Sequence, residues 1–187
     1  LIHIGLDFDD TLVDMRQSIV KILNRKHKRN LVYEDIEEYA VSNLYGYSFE
    51  EYVDFFTRNQ TELHQEKPYP FLLTVLRELS KKAKLTIITG RPKAWMESAE
   101  NWALANKLPI ENIVCASQHP NGKLECALKH NISLFIEDNP SHALAIANNG
   151  IDVLLLDKPY NRNCFHERIT RVENWKEIGT ILLSHIK

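Results

Sequence analysis

Five short apolar runs, Ile2–Phe8, Leu85–Ile88, Asn112–Cys115, Leu134–Ile136 and Val153–Leu156, each give way to polar or acidic residues. Continuous apolar runs of this length suit strands buried on both faces of a parallel sheet. Helical spacing fills the intervals: Phe71, Leu72, Val75, Leu76 and Leu79, then Trp95, Ala99, Trp102 and Ala103, then Ala143, Leu144 and Ala147. The alternation predicts an α/β domain with a doubly wound parallel sheet. Pro92 and Pro140 follow strand ends, where first-turn prolines start helices, and Gly150 stands where a helix must stop.

The rhythm breaks between residues 16 and 67, which contain no apolar strand run but place Phe49, Tyr52, Val53 and Phe56 at helical spacing. This predicts a small helical cap at 16–67, inserted after the first strand into a core made of 1–15 and 68–187. A chain of 187 residues has room for one such core with an insertion, and its 44% hydrophobic and 26% charged residues are ordinary for a globular domain. A net charge of −2 offers no footprint for a nucleic-acid polymer. The basic group Arg25, Lys26, Lys28 and Arg29 reads as the solvated end of a helix. No stretch approaches the roughly 18 apolar residues of a membrane helix, so no membrane association is expected. Cys115, Cys126 and Cys164 are odd in number and match no zinc or disulfide spacing, which points to a reducing, cytoplasmic setting.

Ligands of doubly wound sheets bind beyond the carboxyl ends of the strands. There the sequence puts Asp7-Phe8-Asp9-Asp10-Thr11 after the first strand, Thr89-Gly90-Arg91 after the second and Glu137-Asp138-Asn139-Pro140 after the fourth, with Lys123 opening the preceding helix. Each acid alone is as readily a helix cap as a functional group. Together, carboxylates crowded on one rim repel one another unless a cation intervenes, and Mg²⁺ is the hard ion that prefers them while leaving positions for phosphate oxygens.

In this order Asp7-x-Asp9, Thr89, Lys123 and Glu137-Asp138 resemble the four motifs of the haloacid dehalogenase (HAD) superfamily. The resemblance implies a HAD-like Rossmannoid core and phosphate-monoester hydrolysis through an aspartyl phosphate. Asp7 then becomes the nucleophile and Asp9 the general acid and base. Thr89, Gly90 and Lys123 hold the phosphoryl group. The side chains of Asp7 and Asp138, with the backbone carbonyl of Asp9, bind Mg²⁺. Acidic crowding is expected to keep Asp9 protonated for the first step. Glu137 falls beside this set as a supporting residue, and Asp10, where many relatives carry glycine, is a helix cap or a hydrogen-bond partner near the metal.

Leu156-Asp157-Lys158-Pro159-Tyr160-Asn161-Arg162 and Arg171-Val172-Glu173-Asn174-Trp175 are further similar to the C-terminal signature of the 5′(3′)-deoxyribonucleotidase type C family. That resemblance implies a small phosphorylated metabolite as partner, a (deoxy)nucleoside monophosphate by preference. In the cap, Phe49, Tyr52 and Phe56 are expected to form its own core, leaving Tyr45 and Tyr47 around Gly46 to face the substrate. Arg91 and Asn161 are open between substrate contact and ordinary pairing. Trp175, Ile178, Leu182 and Ile186 share one helical face and read as core. A signalling receiver domain, the alternative from another class, needs a phosphorylated Asp on a middle strand, and the second strand here ends in Thr89 itself. A dehalogenase has no use for an acid two residues beyond the nucleophile.

Overall fold

A computed structural model describes residues 1–63 and 67–186. Its sheet is entirely parallel, with strands β1 (Ile2–Leu6), β2 (Ala83–Thr89), β3 (Asn112–Cys115), β4 (Leu134–Glu137), β5 (Asp152–Leu156) and β6 (Ile169–Val172) in the spatial order β3-β2-β1-β4-β5-β6. The expected doubly wound α/β architecture is therefore present, with one strand more than the apolar runs announced. In β6, Thr170 and Arg171 interrupt the run, because an edge strand is not covered on both sides.

Alternation along β5 shows how the sheet builds two cores. Leu154 and Leu156 join one buried cluster with Ile4, Leu6, Ile87 and Ile136, while Val153 and Leu155 join a second with Phe135, Ala143 and Ile146. Helices α4 (Leu72–Leu79), α5 (Met96–Ala105) and α8 (Trp175–His185) contribute buried residues to the first cluster; α6 (Gly122–Lys129) and α7 (Pro140–Ala147) contribute to the second. Two glycines are needed for close approach. A Cβ on Gly5 would stand 2.5 Å from the ring of Phe135, its register partner, and one on Gly179 would stand 2.7 Å from Val75, where α8 packs on α4.

Between β1 and α4 the described residues form no strand of the sheet, only isolated bridges at Asp9–Val13 and Val13–Pro68, the helices α1 (Met15–His27), α2 (Val41–Leu44) and α3 (Phe49–Leu63), and a 3₁₀ turn at Tyr33–Asp35. Val41, Phe55, Phe56 and Leu63 lie in the same cluster as β1 and β2, so the insertion shares the core of the sheet. Phe49 departs from the expected stripe. It is 80% exposed, and Phe55 takes its place in the interior. Phe71 likewise precedes α4 and is exposed. The basic group ends α1 at the surface as read, with Lys28 in a left-handed C-cap that closes on Asn24. No helix among the described residues is long and apolar enough to cross a membrane.

Strand order reverses beside β1, the strand from which the chain runs out first to one side and then to the other. The crevice at this switch point lies past the carboxyl ends of β1 and β4. Asp7 and Asp138 stand there.

Candidate active site

The turn after β1 is held by its own backbone. The Asp7 N–H continues the β1–β4 pairing to the Ile136 carbonyl at 2.9 Å, and Asp10 N–H reaches the Val13 carbonyl at 2.8 Å. Asp10 adopts φ 61°, the left-handed region where glycine is relaxed and aspartate is tolerated. Its carboxylate offsets that strain by accepting from the Arg16 N–H at 2.6 Å and Arg16 Nε at 3.0 Å. Asp14 caps α1 alongside, accepting from the Gln17 N–H. The capping reading of Asp10 therefore holds.

Three carboxylates meet at the crevice floor. One oxygen each from Asp7, Glu137 and Asp138 lies within 4.8 Å of the others, and all three residues are buried. Lys123 Nζ sits 2.5 Å from Asp7 Oδ1 and 2.8 Å from Glu137 Oε2. Asp138 accepts from Tyr160 Oη at 2.6 Å and from Thr11 Oγ1 at 3.1 Å. Glu137 Oε1 accepts the backbone N–H groups of Asp138 and Asn139, so Glu137 orients Lys123 and the turn together. One ammonium against three buried acids leaves the floor short of positive charge. Burial, then the charge of Glu137, push Asp7 up to about 7 against the pull of Lys123. Burial, then Asp7 and Asp10, push Asp138 up to about 8. Burial also raises Glu137, while the acids in turn raise Lys123 and keep it charged. Such a donor set fits a hard divalent cation, which would remove the repulsion.

Thr89 is buried at the end of β2, and Gly90 turns beside Lys123, whose Cε would lie 4.0 Å from a Cβ placed there. The expected phosphoryl-binding group is thus brought to one corner with Asp7.

Asp9 lies elsewhere than expected. Its carboxylate stays out of the acidic floor and is gripped by Arg91, Nη2 to Oδ1 at 2.6 Å and Nε to Oδ2 at 2.9 Å. Its immediate partner is therefore a guanidinium rather than another acid, which corrects the expectation of acidic crowding. Arg91 is itself fixed, its Cζ 4.3 Å over the Phe8 ring and its Nη1 3.3 Å from Ser98 Oγ. The structure shows Arg91 paired, and its partner is a candidate site residue.

Tyr45 and Tyr47 are turned away from the floor. Tyr45 is buried and donates to Asn24 Oδ1 at 2.8 Å; Tyr47 Oη meets His27 Nε2 at 2.9 Å. His27 ends α1, about 16 Å along the helix from Arg16 at 1.5 Å per residue. These tyrosines pack the far end of the insertion. Asn161 also has no group to spare: its amide donates to the carbonyls of Asp138 and Leu156, while its oxygen accepts from Lys158 N–H and Arg171. It is a buried clamp under the Asp138 turn.

Four residues near the floor, Arg16, Tyr39, Tyr160 and Trp175, were given no part in the site by the sequence, Trp175 being read as core alone. Arg16 is buried between the rings of Tyr39 and Tyr160, its Cζ 4.9 and 4.0 Å from their centroids. The fourth, Trp175, donates from Nε1 to the Thr11 carbonyl at 2.8 Å and ties α8 to the nucleophile turn. An arginine in the first turn of a helix, six residues beyond an acid, was the available signal for Arg16.

Residues 1–186 match the family described as 5′ nucleotidase, deoxy (pyrimidine), cytosolic type C protein. The chain belongs to this family. A provisionally named nucleotidase of Halalkalibacterium halodurans is 32% identical over 175 residues, 92% of this chain and 88% of the relative. A nucleotidase of Clostridium acetobutylicum is 28% identical over 182 residues, 97% and 93% of the two chains. Among solved structures, a haloacid dehalogenase-like hydrolase of Streptococcus pneumoniae has a TM-score of 0.69 at 15% identity, covering 100% of this chain and 99% of its own. A HAD hydrolase of Bacillus subtilis, solved with magnesium, has a TM-score of 0.67 at 12% identity, covering 97% and 98%. At these identities the structures establish the HAD-like fold, and the type C family makes the chain a phosphatase of the nucleotidase kind.

Proposed function

We propose that this type C nucleotidase hydrolyses (deoxy)nucleoside monophosphates with Mg²⁺, using Asp7 as a covalent nucleophile under the helical cap at 16–67. The observation that carries the reading is the contrast between Asp7, buried on Lys123 at the switch point, and Asp9 two residues on, held outside the acidic floor by Arg91. In this reading the first carboxylate attacks and the second moves protons. The family membership and the nucleotidase names of its relatives support the substrate class. Three free cysteines fit a reducing, cytoplasmic setting.

In the first step an Asp7 oxygen forms a bond to phosphorus, the bond from phosphorus to the nucleoside oxygen breaks, and Asp9 gives its proton to that oxygen. Water then attacks phosphorus, Asp9 takes the water proton, and Asp7 leaves with its charge restored while orthophosphate departs. A bidentate Arg91 grip is the geometry of the proton acceptor, so the structure supports Asp9 in its role toward water. Thr89, Gly90 and Lys123 would receive the equatorial phosphoryl oxygens. Mg²⁺, held by Asp7, Asp138 and the Asp9 backbone carbonyl, would add positive charge where the phosphoryl group develops negative charge.

Phosphate release from a panel of monoesters with Mg²⁺ tests the reading. Turnover of deoxynucleoside monophosphates well above sugar phosphates is expected. Preference for sugar phosphates would refute the substrate class, and absence of turnover on every ester would refute the chemistry.

A further inference from the structure

The insertion brings a different tyrosine to the floor from the two its sequence favoured. Tyr39 lies between the Tyr33–Asp35 turn and α2, in a stretch without regular structure. Long-range contacts hold it there. Its carbonyl accepts from Arg16 Nη1 at 2.7 Å, its ring lies against the Arg16 guanidinium, and the ring meets Tyr160 edge-on at 5.5 Å and 77°. Arg16 is in turn fastened to Asp10, and Tyr160 to Asp138. Both long-range holders of Tyr39, Arg16 and Tyr160, are thus anchored, one to the nucleophile turn and the other to a floor carboxylate.

The hydroxyl has a defined polarity. Its neighbour Asn139 has Oδ1 committed to the Ser141 and His142 N–H groups at 2.8 and 3.2 Å as the cap of α7, and it acts on the phenol by lowering its pKa against the larger raising effects. What Asn139 presents to Tyr39 is therefore Nδ2, a donor. Facing a donor of that kind, the phenol keeps its own proton to give. Although the residue as a whole is exposed, burial around the hydroxyl, then the charges of Asp138, Asp7 and Glu137, keep it protonated. Next to a carboxylate floor, a neutral donor can face an anionic ligand without adding to the repulsion, and a hydrogen bond to a charged acceptor is a strong one.

We propose that Tyr39 donates a hydrogen bond from the insertion to the phosphoryl group lying at Asp7, with Arg16 as its positioning residue. The inference rests on the phosphatase chemistry above and adds a catalytic contact outside the four motifs. It also makes closure of the phosphoryl site depend on the insertion being seated.

Tyr39→Phe keeps the ring against Arg16 and Tyr160 and removes only the donor. Calorimetric binding of inorganic phosphate to the Mg²⁺-loaded protein should weaken about 10- to 100-fold, the range for a hydrogen bond to a charged group. Its kcat/KM on p-nitrophenyl phosphate and on a deoxynucleoside monophosphate should fall by that same factor, with unchanged Tm. Unchanged phosphate affinity, or a loss confined to the nucleotide, overturns the proposal. A wild-type protein that neither binds phosphate nor cleaves any monoester overturns the phosphatase chemistry beneath it, a separate result. For the positioning role, Arg16→Lys should weaken phosphate binding alone but add little to Tyr39→Phe. Additive losses would show that Arg16 acts by another route.

Discussion

The floor and the roof of this site are built by opposite means. The floor, Asp7, Glu137, Asp138 and Lys123, sits at the ends of β1 and β4 and at the start of α6, where backbone direction is fixed by the sheet. The roof is an irregular segment whose Tyr39 is placed by contacts to Arg16 and Tyr160. The floor is thus carried by rigid elements, and the proposed closing surface by a segment without regular structure that long-range contacts hold in place. Removing a floor group should abolish a step, while removing a roof group should weaken a contact.

The most severe break of the floor is Asp7→Asn, which keeps shape and loses the nucleophile. Turnover should fall at least about 10³-fold with native circular dichroism, and loss of less than tenfold would reject Asp7 as the attacking group. Arg91→Gln comes next. It frees Asp9 from its guanidinium, and kcat on an alkyl phosphate should fall by about 10²-fold, within the usual range for a general acid–base. An ester with a good leaving group should lose less in its phosphorylation step, measured as a burst of leaving group. Equal losses in the two bursts would mean that Arg91 serves the phosphoryl group instead.

A third test concerns protons on the floor. Asp7 and Asp138 ordinarily titrate near 3.8 and are raised in the folded chain to about 7 and about 8. A folded pKa above the unfolded one means that protonation stabilises the fold, so this contribution is full below about pH 4 and is lost as pH rises through 7 and 8. Burial lowers His142 to about 3 and also lowers His3, which opposes the trend below pH 6.5. Between pH 6.5 and 8, Tm in EDTA should therefore fall, and Mg²⁺ should restore it more at pH 8 than at pH 6.5, because metal replaces protons. A Tm that rises with pH in EDTA would contradict the charge imbalance. The smallest effect is expected at the far end of the roof. Tyr45→Phe should lose about 1 kcal/mol of stability with its bond to Asn24, and KM should not move. A raised KM would restore Tyr45 to the substrate.

What could be read in the sequence follows the same division. Apolar runs and strand-end acids have fixed periods and directions, so the doubly wound sheet and the meeting of Asp7, Thr89, Lys123, Glu137 and Asp138 were legible. The edge strand β6 was not, because exposure on one side breaks its apolar run. Nor was the partner of Asp9: Arg91 is 82 residues away, and its choice of Asp9 depends on a guanidinium stacked over Phe8. In the insertion, local spacing suggested that Tyr45 and Tyr47 were free, but His27 and Asn24 on α1 had already claimed them.

The bond from Trp175 to the Thr11 carbonyl joins residues 164 positions apart. During synthesis, β1, β4 and every floor residue leave the ribosome before that indole does. A nascent chain grown through β5 therefore has the full set of acids in order but lacks the brace on the turn that aims Asp7. The chain thus acquires its reactive groups early and the brace on their turn only when α8 arrives.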